Sequence, residues 1–200
     1  MEHTEQKQIP QPGFLPRLGQ IIYDKLIRPL VSSRFPPWYD ARGVALGLII
    51  GFAIPVGGQI LTLTLLRIAI RFNYLASLAF SLVSNPFNMI PLYYGYYLLG
   101  SLIVGRAPSM NFEVFERLMH PVMEKTYFWE ALCAFAQLGC EILFRWVVAA
   151  VILALVFGFV GYLVTYRVQL KRCKRLAKEL GIKYTRLLGE MEHGLRKGST

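Results

Sequence analysis

Residues 146–166 read WVVAAVILALVFGFVGYLVTY, 21 positions without a charge. About 20 apolar residues are enough to span the hydrocarbon core of a bilayer as a helix. The rest of the chain agrees with that reading. It has 200 residues, of which 54% are hydrophobic and only 17% charged. A soluble domain carries about 25% charged residues. Between positions 43 and 104 there is no acid, and Arg67 and Arg71 are the only bases. The composition therefore predicts an integral membrane protein. The first 12 residues are polar, which argues against a cleavable signal peptide and leaves insertion to the internal segments.

Upstream of the long span the apolar stretches are short and broken. GVALGLIIGFAI, from Gly43, is 12 residues, about 18 Å of helix, too short for a core of about 30 Å. PVGGQ, residues 55–59, interrupts it, and ILTLTLLRIAI follows to Arg71. The pattern then recurs. YLASLAFSLV is broken by SNPFNMIP, and LYYGYYLLGSLIV runs on to Val104. Breaks in a lipid-embedded chain are tolerable only where protein or water satisfies the freed backbone. Paired Pro/Gly-interrupted segments are also the best sequence pointer to a binding site in transporters. The fold class expected is an all-α polytopic membrane protein. It has two tandem interrupted, re-entrant-like helical hairpins, a C-terminal transmembrane helix and amphipathic terminal helices.

The flanks complete the organisation. Residues 1–13 read as a disordered N-terminus. Residues 14–42 read as an amphipathic interfacial segment, helical from Phe14 to Leu30 and turning at FPPWYD. Leu18, Ile21, Ile22 and Leu26 share its apolar face, which fits a helix lying on a membrane or one packed on its own domain. Residues 43–104 form the interrupted core, and 105–133 an extracytoplasmic connection. Residues 134–166 form a long helix ending in the final span, and 167–200 a basic cytoplasmic tail. That tail holds ten Lys and Arg against three Glu, whereas residues 105–145 hold four bases against five acids. Basic loops stay in the cytoplasm, so both termini are expected there. The even number of crossings this requires is met by one re-entrant hairpin, one broken crossing and the last helix.

The net charge of +10 suits anionic headgroups, each tail cation near such a surface gaining roughly 1 kcal/mol. The tail has no nucleic-acid-binding module, so the partners expected are membrane lipids and other membrane proteins, not nucleic acid. Cys133, Cys140 and Cys173 form neither a CxxC pair nor a disulfide framework. His3, His120 and His193 lie far apart, and no metal or other cofactor is expected. General acid–base or metal chemistry needs a placed base or ion, and the apolar core has no His, Asp or Glu. No enzymatic activity is expected.

The polar residues of the core are the candidate site. Gln59 follows the first break, and Arg67 and Arg71 lie along one face of the short helix after it. An ionisable residue at membrane depth is a functional candidate by default, though Arg71 also suits a position at the cytoplasmic interface. Asn73, Asn85 and Asn88 offer amides that would be costly if left unpaired. They serve either the broken backbone or a ligand. Tyr94 lies in an aromatic run that reads as an interfacial belt or a lining. Pro55, Gly57, Gly58, Pro86 and Pro91 are turn residues. Gly43, Gly47 and Gly51, four apart, make a smooth face for close helix packing. Gln137, Glu141 and Arg145, also four apart, read as an interfacial ion pair or as a vestibule lining.

In this order the motifs ARGVALGLIIGFAIPVGGQ, RFN and SNPFNMIPLYYGYYLLG resemble a prokaryotic membrane family, domain of unknown function number two thousand and sixty-two. Pro55, Gly58, Gln59, Arg71, Asn73, Asn85, Pro86, Phe87, Pro91, Tyr93 and Tyr94 match its pattern. Asn88 stands where the family usually has Thr, and Gly57 where it often has Pro. The resemblance spans roughly residues 35–170 and implies a bacterial inner-membrane protein without supplying an activity. The function expected is the handling of a small solute or lipid headgroup at a polar site between the two broken helices. The alternative is a non-transporting assembly or scaffold protein of the cell envelope.

Overall fold

The structure is a computed structural model and describes residues 33, 35–123, 130, 133 and 139–197. Among these are seven helices and no strand: α1 (Pro37–Ala53), α2 (Gln59–Ala69), α3 (Tyr74–Ser81), α4 (Met89–Val104), α5 (Phe112–Met123), α6 (Cys140–Glu179) and α7 (Tyr184–Lys197). The segments expected at 1–13 and 14–30 lie outside the described residues, as do Gln137 and the expected helix start at Ala134. Among the described residues one helix, α6, is long and apolar enough to cross a membrane.

Helix α1 begins six residues earlier than its hydropathy suggests. Pro37 occupies its first turn and Asp40 stands near its N-terminus, both favourable there. FPPWYD is thus the entry to the helix rather than a turn before it. Pro55 disfavours helical backbone at the preceding residue, and Ile54 is extended, with φ −108° and ψ 129°. Gly57 then takes φ 101°, a region open to glycine at no steric cost. Helix α2 runs back along α1. Its Arg67 donates from Nη1 to Tyr39 Oη at 2.9 Å, and Ile50, Leu63 and Phe72 pack together between the arms. The first interruption is a helical hairpin.

The second interruption is not. Two tandem hairpins were expected, but α3 and α4 do not pack along each other; α3 lies against α1, and α4 against α6. The partners explain the difference. On α3, Asn73, Ser77 and Ser81 present a strip that the glycines of α1 take up. On α4, Tyr93 and Tyr96 pack on Trp146. The chain therefore goes on past the break instead of reversing, as a broken crossing would.

Helix α6 carries both pieces. Gly158 lies against Ile49 and Ala45, and Gly161 against Leu48 and Val44, so α6 runs antiparallel to α1. Nearer its start, Trp146 Nε1 donates to Tyr93 O at 2.6 Å, and Gly100 faces the backbone of Arg145. Where α1 ends, α4 continues, and Tyr96 Oη donates to Phe52 O at 3.2 Å across the junction. Helix α6 runs through 166/167 to Glu179 and stops where Gly181 takes φ 65° and Ile182 N bonds Ala177 O at 3.0 Å, a glycine-capped end. The basic tail is the last turns of α6 plus α7.

Candidate functional site

The two breaks meet. Gln59 Nε2 donates to Ser84 Oγ at 2.6 Å, and Ser84 Oγ donates to Gly51 O at 2.6 Å. Gln59 Nε2 also reaches Ile54 O at 3.2 Å, and Val56 N donates to Tyr93 Oη at 3.4 Å. A carbonyl freed where α1 ends would cost about 1–3 kcal/mol if buried alone. Gln59 and Ser84, both buried, meet that need from two different breaks.

Asn85 and Asn88 turn inward on their own loop. Asn85 Oδ1 accepts from Phe87 N at 3.0 Å and Asn88 N at 3.2 Å, while its Nδ2 donates to Leu82 O. Asn88 Oδ1 accepts from Asn85 N at 2.9 Å, and its Nδ2 donates to Val83 O at 2.8 Å. Short amide side chains bond nearby backbone in this way at turns. Pro86 forms the exposed crest, and Pro91 sits in the first turn of α4, where its missing N–H costs nothing. The amides of the second break are spent on its backbone, so a ligand there would have to displace an internal bond.

The glycine face meets α3 rather than α2. A Cβ added at Gly43 would lie 2.4 Å from Asn73 O, one at Gly47 2.4 Å from Ser77 O, and one at Gly51 2.8 Å from Ser81 O. The register rises together on both helices, so α1 and α3 are parallel. Asn73 begins α3: its Oδ1 accepts from Ala76 N at 3.1 Å, and its Nδ2 donates to the fully buried Asp40 Oδ1 at 2.8 Å. This candidate binding residue is therefore a helix cap that ties α3 to the start of α1.

The remaining candidates divide between two ends. Arg67, expected to be the deeper of the two arginines, is held by Tyr39 Oη and Phe72 O and lies over both rings. Arg71 is exposed. Both line a cavity of about 250 Å³ with Trp38, Tyr39, Leu195 and Arg196. At the far end Tyr94 packs against Phe112 and Phe115. There Arg145, 5% exposed, donates to Ser101 Oγ at 2.8 Å and Glu141 Oε1 at 2.5 Å. Glu141 also accepts from Arg106 at 3.1 Å. Arg145 first, and then Arg106, hold the Glu141 carboxyl below its ordinary value of 4.5. This residue lies ahead of the uncharged run 146–166. Among the described residues no three His, Cys, Asp or Glu side chains group as metal ligands.

A family model for uncharacterized proteins conserved in bacteria, DUF2062, matches residues 21–178. The chain belongs to this family. No curated protein and no solved structure matches it. The matched region contains both breaks and the glycine face, and it reaches the last turn of α6.

Ser84, Asp40, Tyr39 and Ser101 are not among the site residues expected from the sequence. Signals existed for two of them. Ser84 opens the second break, and Asp40 is the last acid before the long acid-free region. The strip Asn73, Ser77, Ser81 repeats the four-residue spacing of Gly43, Gly47, Gly51 and was equally visible.

Proposed function

We propose that this chain is an integral protein of the bacterial inner membrane with both termini cytoplasmic. It crosses with α6 and with the broken pair α3–α4, and α1–α2 enters as a re-entrant hairpin. It handles a lipid headgroup or a small solute without enzymatic chemistry. One observation carries the membrane reading. Ile60, Leu65 and Ile68 on α2, Phe87 at the second break, and Leu155 and Phe159 on α6 are all exposed. In water so broad an apolar belt would be a liability; in lipid it is a solvated surface. The uncharged run of α6 is roughly 30 Å long, the thickness of the hydrocarbon core.

The same geometry supports headgroup handling over a solute at mid-depth, because Gln59, Asn85 and Asn88 already use their amides internally. Cations with open coordination lie instead at the Arg67–Arg71 end. The scaffold alternative draws on the same closure of the breaks, since a locked junction suits a rigid support. Reconstitution separates the two. Vesicles containing the protein should show headgroup translocation or solute uptake that an Arg67→Gln/Arg71→Gln double variant lacks. Equal behaviour of the two, with a stable co-purifying membrane protein, would favour the scaffold.

A further inference from the structure

We propose that the cavity between α1, α2 and α7 binds the phosphate of an anionic phospholipid, with the acyl chains lying along the outer face of α2. The proposal rests on the membrane reading above and names the ligand class of that site. Its donors are pre-positioned. Arg67 spends Nη1 on Tyr39 Oη and Phe72 O and is flanked by both rings, which leaves Nε and Nη2 for a ligand. A guanidinium offers five N–H donors in a fork that matches phosphate oxygens. Arg71 lines the same cavity, is exposed, and has no ion-pair or hydrogen-bond partner among the described residues. Glu192 is the one carboxylate among the cavity's lining residues, and it accepts from Trp38 Nε1 at 3.2 Å. A volume of about 250 Å³ accommodates a phosphoglycerol unit. Trp38, capped by Arg42 at 4.8 Å, supplies an amphipathic ring of the kind that sits at headgroup level.

The neighbouring surface decides for a lipid over a free anion. Ile60, Leu61, Leu65 and Ile68 are exposed along α2, Ile68 at 83%, and Ile68 adjoins Arg67 in the chain. The helix has 11 residues and is about 16 Å long, close to one leaflet of a core about 30 Å thick. An apolar track one leaflet deep thus ends at an arginine pair, which is the outline of a phospholipid.

The test uses the full chain reconstituted in vesicles of equimolar phosphatidylglycerol and phosphatidylcholine. The chain is then extracted gently, and the retained lipid is measured by native mass spectrometry. The wild type should keep phosphatidylglycerol in preference to phosphatidylcholine. Arg71→Gln, which removes no internal contact, and Trp38→Ala should each lower the retained phosphatidylglycerol about tenfold. Lys171→Gln/Lys174→Gln, a change in tail charge alone, should not. Unchanged retention in Arg71→Gln, or loss in the tail variant only, would overturn the proposal. So would displacement by an equal amount of inorganic phosphate, since that marks a site for the free anion. Failure of the membrane reading is seen separately: an alkaline carbonate wash would strip the wild type from the vesicles.

Discussion

Gln59 and Ser84 stand 25 residues apart and share one short hydrogen bond, and their positions show how closely the breaks are matched. Each serves a carbonyl or hydroxyl that the other break exposes. Ser84→Ala removes the donor to Gly51 O and should destabilise the protein by about 1–3 kcal/mol, read as a lower midpoint of thermal unfolding in detergent. Asn85→Ala should cost a similar amount, because two backbone N–H groups lose their acceptor. Glu141 adds a pH dependence. Its carboxyl is held below 4.5 by Arg145 and Arg106, so its stabilisation is complete above that value. It is lost as pH falls through the lower folded-state value. Thermal midpoints should therefore drop below pH 4.5 in the wild type and drop less in Glu141→Gln.

Helix α1 meets α3 and α6 with two kinds of surface. Its glycine strip admits the backbone of α3, while Val44, Leu48 and Ile49 receive the glycines of α6. Such close approach gains dispersion energy without long side chains. A methyl at Gly47 would sit 2.4 Å from a backbone oxygen that cannot swing aside, so Gly47→Ala should destabilise by about 1–3 kcal/mol. Gly95, inside α4, has nothing within 4 Å of an added Cβ. Gly95→Ala should instead stabilise by up to about 1 kcal/mol through helix propensity. Paired unfolding measurements on these two variants separate close packing from a general effect of glycine. The interruptions and the glycine spacing are legible in the sequence because Pro, Gly and Asn act locally. Which interruption reverses the chain is not legible, since that depends on which neighbour claims each helix face.

Across the whole molecule the described cysteines report topology. Cys133 and Cys140 are exposed near the start of α6, and Cys173 is buried near its other end. With the termini cytoplasmic, a membrane-impermeant maleimide should label intact spheroplasts. It should fail to label a Cys133→Ser/Cys140→Ser variant until the membrane is opened and the protein unfolded. Labelling only after lysis would place that end of α6 in the cytoplasm and reverse the proposed orientation.

By itself the sequence determined the helical class, the uncharged span, both breaks and the basic end, because these follow from composition and from the local stereochemistry of Pro, Gly and Asn. Tertiary structure alone decided that Gln59 joins Ser84 and that Asn85 and Asn88 close on their own loop. It also decided that Asn73 caps α3 against Asp40, and that only the first break forms a hairpin. The reason is physical. A polar side chain shows in the sequence what it can bond, but its partner is whichever unsatisfied group the packing brings within about 3 Å. Here packing brought backbone carbonyls to the amides of the breaks, and it set Arg67 and Arg71 beside one cavity at the end where α2 meets Trp38.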